Sequence, residues 1–490
     1  MASRGSLTAG FRCRAVSSQH SAGEGTLPAC DCTKPATLRC RILSLSREDQ
    51  PGLIGEGESK LIVIATIGSL GDLHPCLALA MELRRRGHRV TIASTEYYRG
   101  KVEELGIDFH SIRPDWDPTD RELIRQCEDL KRGPEVLYRR LILPGLRGTY
   151  DDLLSVAAGA DLMIAGELVY AAPLVAERLN LRWVTAILSP FSFFSSHDPS
   201  VIVTVPGLIR LRRAGWPVYW AGLTVCRLAT RHWSNPVRRL RRELGLRPDC
   251  DPVFRDKFSP DLVLALFSHC LAQPQPDWPP QTLQPGFVYY DRNGADTEDF
   301  AKLTHFLAEG DPPIVFTQGS TAVHIPGDFY EASVEAAKQL ARRAVLLGAN
   351  TPGVNSPDIL ALPYAPYSRI FPHAAVIVHQ GGSGTTGQAL RAGRPELIVP
   401  YGWDQPDNGV RVQRLGTGLC LARSAYSAKS AAAALEQLLH DSRFAARAAE
   451  VGVGLRKEDG LTVAGDAIQS VLGGTRSLRA GTTAARGSAK

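Results

Sequence analysis

The chain has 490 residues, of which 44% are hydrophobic and 22% charged, and its formal net charge is +6. This composition is that of an ordinary globular protein and excludes a fibrous or wholly disordered chain, while the length predicts more than one domain. The charge is uneven, because residues 208–247 contain ten arginines and one glutamate.

The ten cysteines are scattered along the chain and form no disulfide framework. Cys30, Cys32 and Cys40 cluster, but no second pair at zinc spacing follows them, so we predict no metal site. No apolar run reaches the roughly 20 residues that span a bilayer, and the N-terminus lacks the apolar segment of a secretory signal. We expect a cytoplasmic protein, and a peripheral contact with a membrane stays open.

The first ordered element begins at Leu61. Residues 1–59 lack periodicity, and we predict a poorly ordered extension. LIVIAT is typical of a buried strand, IGSLGDLHP is the loop after it, and Pro75 at a helix start precedes apolar residues at helical spacing. The strand HRVTIAS follows, so the pattern predicts a doubly wound α/β domain over residues 60–285.

The later part of this domain is less regular. We predict strands at 161–165, 183–187 and 262–267, and a helix near 171–179. Between them, residues 190–260 form an aromatic and arginine-rich insertion, and the prolines of 274–285 are typical of a linker. A second α/β series predicts another domain over 286–472, followed by a disordered basic tail, 473–490.

The second domain contains the most informative stretch. The β-branched residues 376–378 predict a buried strand that ends at His379, and a loop with Gly381, Gly382, Gly384 and Gly387 follows it. Glycines let backbone N–H groups approach an anion, and the helix predicted over 385–392 directs its positive N-terminus at the same point. Strand, glycine loop and helix together predict a phosphate site.

Three segments resemble one family. IGSLGDLHPCLALAMELRRRGHRVTIAS, HQGGSGTTGQALRAGRP and PYGWDQPDN are similar to the nucleotide-sugar glycosyltransferases of the GT1 (UDP-glycosyltransferase) family, in its bacterial antibiotic and sterol 3-β-glucosyltransferase branch. The resemblance covers most of residues 60–472. It implies the GT-B fold, in which two Rossmann-like domains face each other across a cleft, the C-terminal one holding the donor and the N-terminal one the acceptor.

The resemblance also implies roles for single residues. The donor-binding set is Ser320, His379, Gly381, Gly382, Ser383, Gly384, Thr385, Asp404 and Gln405. Asp404 and Gln405 would hold the sugar hydroxyls, and the others the diphosphate. Asp72 would be the general base for an inverting transfer that needs no metal or other cofactor, with a UDP-sugar or dTDP-sugar as co-substrate.

Several alternatives stay open at this stage. His74 could be the base instead of Asp72, and Asp72 could simply cap a helix. Glu167 either faces the acceptor or is a solvated loop residue. Many relatives carry a ribose-binding glutamate where this chain has Gly387, which leaves the ribose contacts undefined.

Competing functions are open as well. Gly382–Gly387 also fits the G-x-G-x-x-G pattern of NAD(P) enzymes, and a GT-B protein without activity would carry the same motifs. The arginines of 208–247 are typical of a solvated helix face. Interleaved with Trp216, Tyr219, Trp220 and Trp233, they also fit contact with an anionic membrane that presents an apolar acceptor. Nucleic acid is disfavoured, because no recognition motif accompanies the charge.

Overall fold

The computed structural model describes residues 58–205, 207–291, 298–348 and 355–474. The predicted N-terminal extension, except for residues 58 and 59, and the predicted tail from residue 475 onward lie outside the described residues. Within the described ranges, the chain forms two parallel β-sheets, one in each half.

The N-terminal half contains the larger sheet. Its strands are β1 (Leu61–Ala65), β2 (Arg89–Ser94), β3 (Asp108–Ser111), β4 (Leu162–Gly166), β5 (Trp183–Ile187), β6 (Leu262–Ala265) and β7 (Thr282–Leu283). They lie in the order β3-β2-β1-β4-β5-β6-β7. Its helices are α1 (Leu70–Arg85), α2 (Arg99–Glu103), α3 (Arg121–Cys127), α4 (Gly133–Glu135), α5 (Leu143–Ala157), α6 (Ala172–Leu179), α7 (Leu208–Leu211), α8 (Trp216–Thr230) and α9 (Asn235–Glu243).

The C-terminal half repeats this plan. Its strands are β8 (Ile314–Thr317), β9 (Ala344–Leu347), β10 (Ile359–Leu362), β11 (Val376–His379), β12 (Glu396–Ile398) and β13 (Gly418–Cys420), in the order β10-β9-β8-β11-β12-β13. Its helices are α10 (Glu298–Ala308), α11 (Phe329–Gln339), α12 (Tyr367–Ile370), α13 (Ser383–Ala392), α14 (Gln405–Leu415), α15 (Ala428–His440), α16 (Ser442–Leu455) and α17 (Gly460–Gly473). The predicted pair of doubly wound α/β domains is confirmed.

Burial on both faces explains why these strands are continuous apolar runs. In β1, Ile62 and Ile64 pack with α1 on one face of the sheet, and Val63 packs with α5 on the other. All three side chains are fully buried. Burying an aliphatic side chain of this size contributes about 1.5–3 kcal/mol to the free energy of unfolding. Helices on both faces therefore hold each central strand, and the loops at the strand ends are left to form a site.

Two predictions about local structure are wrong. Helix α1 begins at Leu70 with Ser69 as its N-cap, so Pro75 lies inside the first turns rather than at the helix start. The supposed linker of 274–285 is part of the N-terminal half, because it contains β7 and its Trp278 is 92% buried against Phe193. Proline content alone did not distinguish a linker from an ordered loop that packs on the core.

The last helix, α17, returns to the N-terminal half. Its Ala464 and Ile468 are fully buried among residues of α1. Arg86, at the end of α1, donates to Asp466 at 2.6 Å and to the backbone oxygen of Thr462 at 3.1 Å. The end of the predicted C-terminal domain thus ties the two halves together.

Candidate active site

Both sheets place a break in strand order at the site. In the N-terminal sheet, β1 and β4 are neighbours whose following helices lie on opposite faces, and in the C-terminal sheet β8 and β11 hold the same positions. Loops that leave such neighbouring strands diverge and open a crevice, where ligands bind in open α/β sheets. The loop that leads into the first turn of α1, where Asp72 lies, follows β1, and Glu167 follows β4. Ser320 follows β8, and the glycine loop follows β11.

A cleft of about 820 Å³ joins these loops. Ten of the predicted site residues line it: Asp72, His74, Glu167, Ser320, Gly382, Ser383, Gly384, Thr385, Asp404 and Gln405. Two do not, namely His379 and Gly381. The fold therefore brings predicted site residues that are more than 300 positions apart in the sequence into one cleft.

Asp72 lies in the first turn of α1. Its Oδ2 accepts a hydrogen bond from the backbone N–H of Ser69 at 2.8 Å, while the Ser69 Oγ accepts from the N–H of Gly71 at 3.1 Å. Gly68 is required here, because a Cβ at this residue, whose φ is +147°, would lie 2.2 Å from Asp72 Oδ2. Asp72 is therefore not the N-cap of a helix that begins at Pro75: Ser69 is the N-cap, and Asp72 is the third helical residue, whose side chain completes the capping box.

The pKa of Asp72 is raised to about 7 by burial, with a smaller contribution from the charge of Glu167 and a further one from Asp404. The hydrogen bonds from Ser69 oppose this shift. A carboxylate with this pKa accepts a proton readily at neutral pH, which an ordinary aspartate does not.

His74 lines the same cleft but has a different electrostatic state. Its ring packs on that of Tyr290 with centroids 4.9 Å apart. Burial, and to a lesser degree the charge of Lys101, lowers the pKa of His74 to about 3. The imidazole is therefore neutral at pH 7 and much the weaker base of the two.

Glu167 is already occupied by neighbours of its own domain. Its Oε1 accepts from Ser192 Oγ at 2.6 Å, and its Oε2 accepts from Lys257 Nζ at 2.8 Å. The Lys257 side chain is only 4% exposed. Glu167 is thus neither a solvated loop residue nor a free carboxylate, and the Glu167–Lys257 pair forms one wall of the cleft.

The N-terminus of α13 is the opposite of that of α1. Within the described chain, no side chain caps it at Gly382, and its first turn contains no acid. The N–H groups of Ser383, Gly384 and Thr385 have no carbonyl within the helix to bind. Because all three residues line the cleft, an anion there meets free donors and the positive end of the helix dipole.

The predicted direct contact of His379 with the diphosphate does not fit this geometry. The side chain is fully buried, its Nε2 is 3.0 Å from Glu396 Oε2, and its Nδ1 accepts from the N–H of Gly381 at 3.1 Å. Burial lowers the pKa of His379 to about 3 and raises that of Glu396 well above its ordinary value, so burial favours the neutral form of each side chain. His379 and Gly381 therefore shape the glycine loop from behind.

Asp404 and Ser383 connect the glycine loop to the next one. Asp404 Oδ2 accepts from Ser383 Oγ at 2.8 Å and from Asn408 Nδ2 at 2.9 Å. Gln405 Oε1 accepts from the N–H of Tyr401 at 2.8 Å. The preceding residue, Trp403, has a φ of +57°, a strained conformation typical of ligand-binding loops. The hydroxyl of Ser383 thus positions the loop rather than remaining free for phosphate.

Gly387 is explained by a contact distant in sequence. A Cβ on this residue would lie 2.8 Å from the ring of Phe287, and Tyr289 donates to its carbonyl at 3.3 Å. The segment that enters the C-terminal half therefore occupies the space that a larger side chain would need.

Glu128 is a cleft residue that the sequence did not indicate. It is 91% buried, lines the cleft beside Gly402, and its Oε2 has no hydrogen-bond partner among the described residues. Burial, with a smaller effect of Asp404, raises its pKa to about 8, so the carboxyl is neutral at pH 7. Glu128 lies at the end of the polar helix α3, and no local sequence pattern distinguishes it from a solvated glutamate.

Known proteins match both halves. Residues 62–191 match the glycosyltransferase family 28 N-terminal domain, and residues 349–458 match the erythromycin biosynthesis protein CIII-like C-terminal domain. The chain is 31% identical to O-mycaminosyltylonolide 6-deoxyallosyltransferase of Streptomyces fradiae over 82% of this chain and 94% of that protein. The chain belongs to the GT1 glycosyltransferases.

Further comparisons agree with this assignment. The chain is 30% identical to the sterol 3-beta-glucosyltransferase of Aspergillus clavatus over 86% of its length, although it spans only 30% of that protein. The kitacinnamycin glycotransferase structure covers 85% of this chain and is itself covered completely, with a TM-score of 0.62 and 21% identity. The structure of a spinosyn rhamnosyltransferase complexed with thymidine diphosphate matches 82% of this chain and 98% of its own, with a TM-score of 0.57 and 17% identity.

These GT-B neighbours confirm the predicted fold, and the relatives identify the chain as a glycosyltransferase. The NAD(P) interpretation is wrong. Its glycine pattern follows β11, the fourth strand of the C-terminal sheet, whereas a dinucleotide fingerprint follows the first strand. Among the described residues, no helix combines the length and apolarity needed to cross a membrane.

Proposed function

We propose that this glycosyltransferase moves a hexose from a UDP-sugar or dTDP-sugar to a hydroxyl of an apolar acceptor with inversion. One observation carries the proposal. The uncapped N-terminus of α13, which suits a diphosphate, and Asp72, which suits a proton, line one cleft from opposite domains. Each domain thus provides one half of a transfer reaction.

The reaction follows from the positions of Asp72 and the N-terminus of α13. The acceptor oxygen attacks the anomeric carbon from the side opposite the leaving group, so the new C–O bond forms as the bond to the diphosphate oxygen breaks. Asp72 takes the acceptor proton in the same step. Attack from the opposite side inverts the anomeric centre, and a single base is sufficient.

The negative charge of the departing diphosphate needs stabilisation. We assign this role to the N–H groups of residues 383–385 and to the hydroxyl of Thr385, with Ser320 on the adjacent loop. We propose that no metal ion or other cofactor takes part. If so, EDTA leaves the transfer rate unchanged, and a loss of activity that Mg²⁺ or Mn²⁺ restores would contradict this part.

The base is Asp72 in this proposal rather than His74. A base works best when its pKa is near the working pH. The pKa of Asp72 is raised to about 7, whereas that of His74 is lowered to about 3. At pH 7 the aspartate is the far stronger proton acceptor.

The acceptor side of the cleft favours an apolar molecule. Its wall is formed by aliphatic and aromatic side chains: Leu123, Ile124, Leu137, Leu141, Phe191, Phe194, Ile202, Leu223, Trp233, Val253 and Phe254. A pocket of this composition binds a hydrophobic ring system or chain and leaves a hydroxyl to be oriented by a few polar groups. The macrolide and sterol enzymes among the relatives support this acceptor class.

Slow donor hydrolysis tests the function without knowledge of the acceptor. The protein is incubated with a panel of UDP-sugars and dTDP-sugars, and release of nucleoside diphosphate is measured. We expect release from one nucleotide class above that of a heat-inactivated sample. Absence of release from every donor, together with absence of UDP and dTDP binding, would contradict the proposal.

A further inference from the structure

Helix α8 presents a row of large apolar side chains to solvent. Val218, Val225 and Leu228 follow one face at spacings of seven and three residues and are 42%, 66% and 62% exposed. Trp216 and Trp220, one turn apart, are 53% and 56% exposed. Five of the 13 large hydrophobic residues that are exposed in the described chain thus lie on this one helix.

The opposite face of α8 is apolar for another reason. Tyr219 is 99% buried, and Leu223, Cys226 and Thr230 line the cleft at spacings of three and four residues. Of the four aromatic residues predicted to contact a membrane, Tyr219 and Trp233 therefore face inward. Trp216 and Trp220 alone point outward. Apart from Arg227, which pairs with Asp251, α8 thus has large apolar side chains on both its inner and its outer face, whereas a helix of this kind is normally buried on all sides.

Arginines flank both ends of the exposed row. Arg212 and Arg213 precede α8, and Arg231 follows it. All three are exposed, and none forms an ion pair with another described residue. The one acid of residues 208–247, Glu243, is paired with Arg147 at 3.2 Å. The surface around the apolar row is therefore strongly positive.

We propose that the outer face of α8 docks on an anionic lipid bilayer. Trp at the edge, aliphatic residues at the centre and free arginines around them are the arrangement by which a helix lies in the interface of such a membrane. The biological role of this docking rests on the proposed function. The inner face of α8 forms part of the apolar acceptor wall, so docking of its outer face would bring that wall next to the lipid. The acceptor is then an alcohol that partitions into lipid.

Vesicle co-sedimentation tests the docking. The full chain is mixed with vesicles of phosphatidylcholine alone or with phosphatidylglycerol added. We expect at least tenfold more bound protein on the anionic vesicles, and loss of most of this difference at high salt. Vesicles of brominated lipid should also quench tryptophan fluorescence, and Trp220→Phe should reduce that quenching.

Matched variants distinguish specific binding through α8 from non-specific binding through any exposed apolar or basic residue. Replacement of Trp220, Val225 and Leu228 by Ser should lower binding at least tenfold, whereas Val453→Ser with Val463→Ser, which are 48% and 41% exposed on other helices, should not. Arg212→Gln with Arg213→Gln should weaken binding more than Arg89→Gln with Arg178→Gln, which removes the same charge elsewhere. All variants should keep wild-type donor hydrolysis, since none of these residues lines the cleft.

Three results would overturn the docking proposal. They are equal binding to neutral and anionic vesicles, no binding to either, and a stable dimer in solution that the α8 triple variant abolishes. Vesicle binding without donor hydrolysis would instead refute the proposed function and leave the docking surface standing.

Discussion

The two halves of this protein use the same strand, loop and helix in opposite ways. At α1, the first turn is closed by the chain itself: Ser69 and Asp72 satisfy the free N–H groups, and an acid occupies the positive end of the helix. At α13, no described side chain caps the turn, and the first turn of the helix contains no acid of its own. One helix end is thus built around a proton acceptor, and the other is left open for an anion.

The comparison shows that the capping state, rather than the fold, separates the two roles. A helix dipole alone would stabilise the charged form of Asp72 and lower its pKa. Burial, Glu167 and Asp404 outweigh that effect and raise it to about 7. None of the first residues of α13 is itself an acid, and the carboxylate nearest to this turn, Asp404, is held by Ser383 Oγ and Asn408 Nδ2.

Removal of the base should have the largest effect. Asp72→Asn keeps the shape of the capping residue but cannot take a proton, so we expect a 10²- to 10⁴-fold lower kcat, the range for loss of a general base. Steady-state transfer assays measure this. Asp108→Asn, an exposed acid in the same half, is the control and should behave as wild type. An Asp72→Asn enzyme of normal rate would refute the base assignment.

The second-largest effect should come from a negative charge placed at the open N-terminus of α13. A Cβ on Gly384 meets nothing within 4 Å, so Gly384→Asp is sterically tolerated but places a carboxylate at the anion site. We expect about 30- to 150-fold weaker nucleoside diphosphate binding, equivalent to roughly 2–3 kcal/mol of repulsion. Gly384→Asn has nearly the same size without the charge and should bind much more tightly. Equal binding by both variants would exclude an anion at this position.

The pH profile should follow from the state of Asp72. The base must be ionised, so kcat/KM should be level above the pKa of about 7 and fall about tenfold per pH unit below it. Because the charge of Glu167 contributes to this pKa, Glu167→Gln should move the midpoint to lower pH. A midpoint near pH 4 in the wild type would show that Asp72 is an ordinary aspartate or that another group is the base.

The smallest predicted effect concerns stability. Gly387→Ala places a methyl group 2.8 Å from the Phe287 ring, and such overpacking typically lowers the free energy of unfolding by about 1–3 kcal/mol. Gly454→Ala, in a helix with no atom near the added methyl group, should be neutral or stabilising. Denaturant unfolding of the two variants gives the comparison. A Gly387→Ala protein as stable as wild type would mean that the Phe287 ring moves aside freely.

The sequence predicted most of what is local. Apolar runs and glycine spacing placed the strands and both site loops, because strand and helix periodicities are short-range properties. The end of α13 is one such case: the helix predicted to end at residue 392 does so, and Gly393 after it has a φ of +72°. Local patterns missed what depends on distant partners. Phe287 lies 100 residues before Gly387, and Lys257 lies 90 residues after Glu167.

His379 illustrates the limit of a motif. Its position at the end of a strand, directly before the glycine loop, predicted a ligand contact. In the structure, the His379 ring instead contacts Glu396 on the neighbouring strand and is buried behind the glycine loop. Glu128 was missed because burial, which raises its pKa, is a property of the assembled cleft.

The most direct test of this division of roles is nucleoside diphosphate binding by calorimetry, with the wild type, Asp72→Asn and Gly384→Asp compared in parallel. We predict that Asp72→Asn binds within about twofold of wild type although it no longer transfers sugar, and that Gly384→Asp loses most of its affinity. Loss of nucleotide binding in Asp72→Asn, or wild-type binding in Gly384→Asp, would contradict the account.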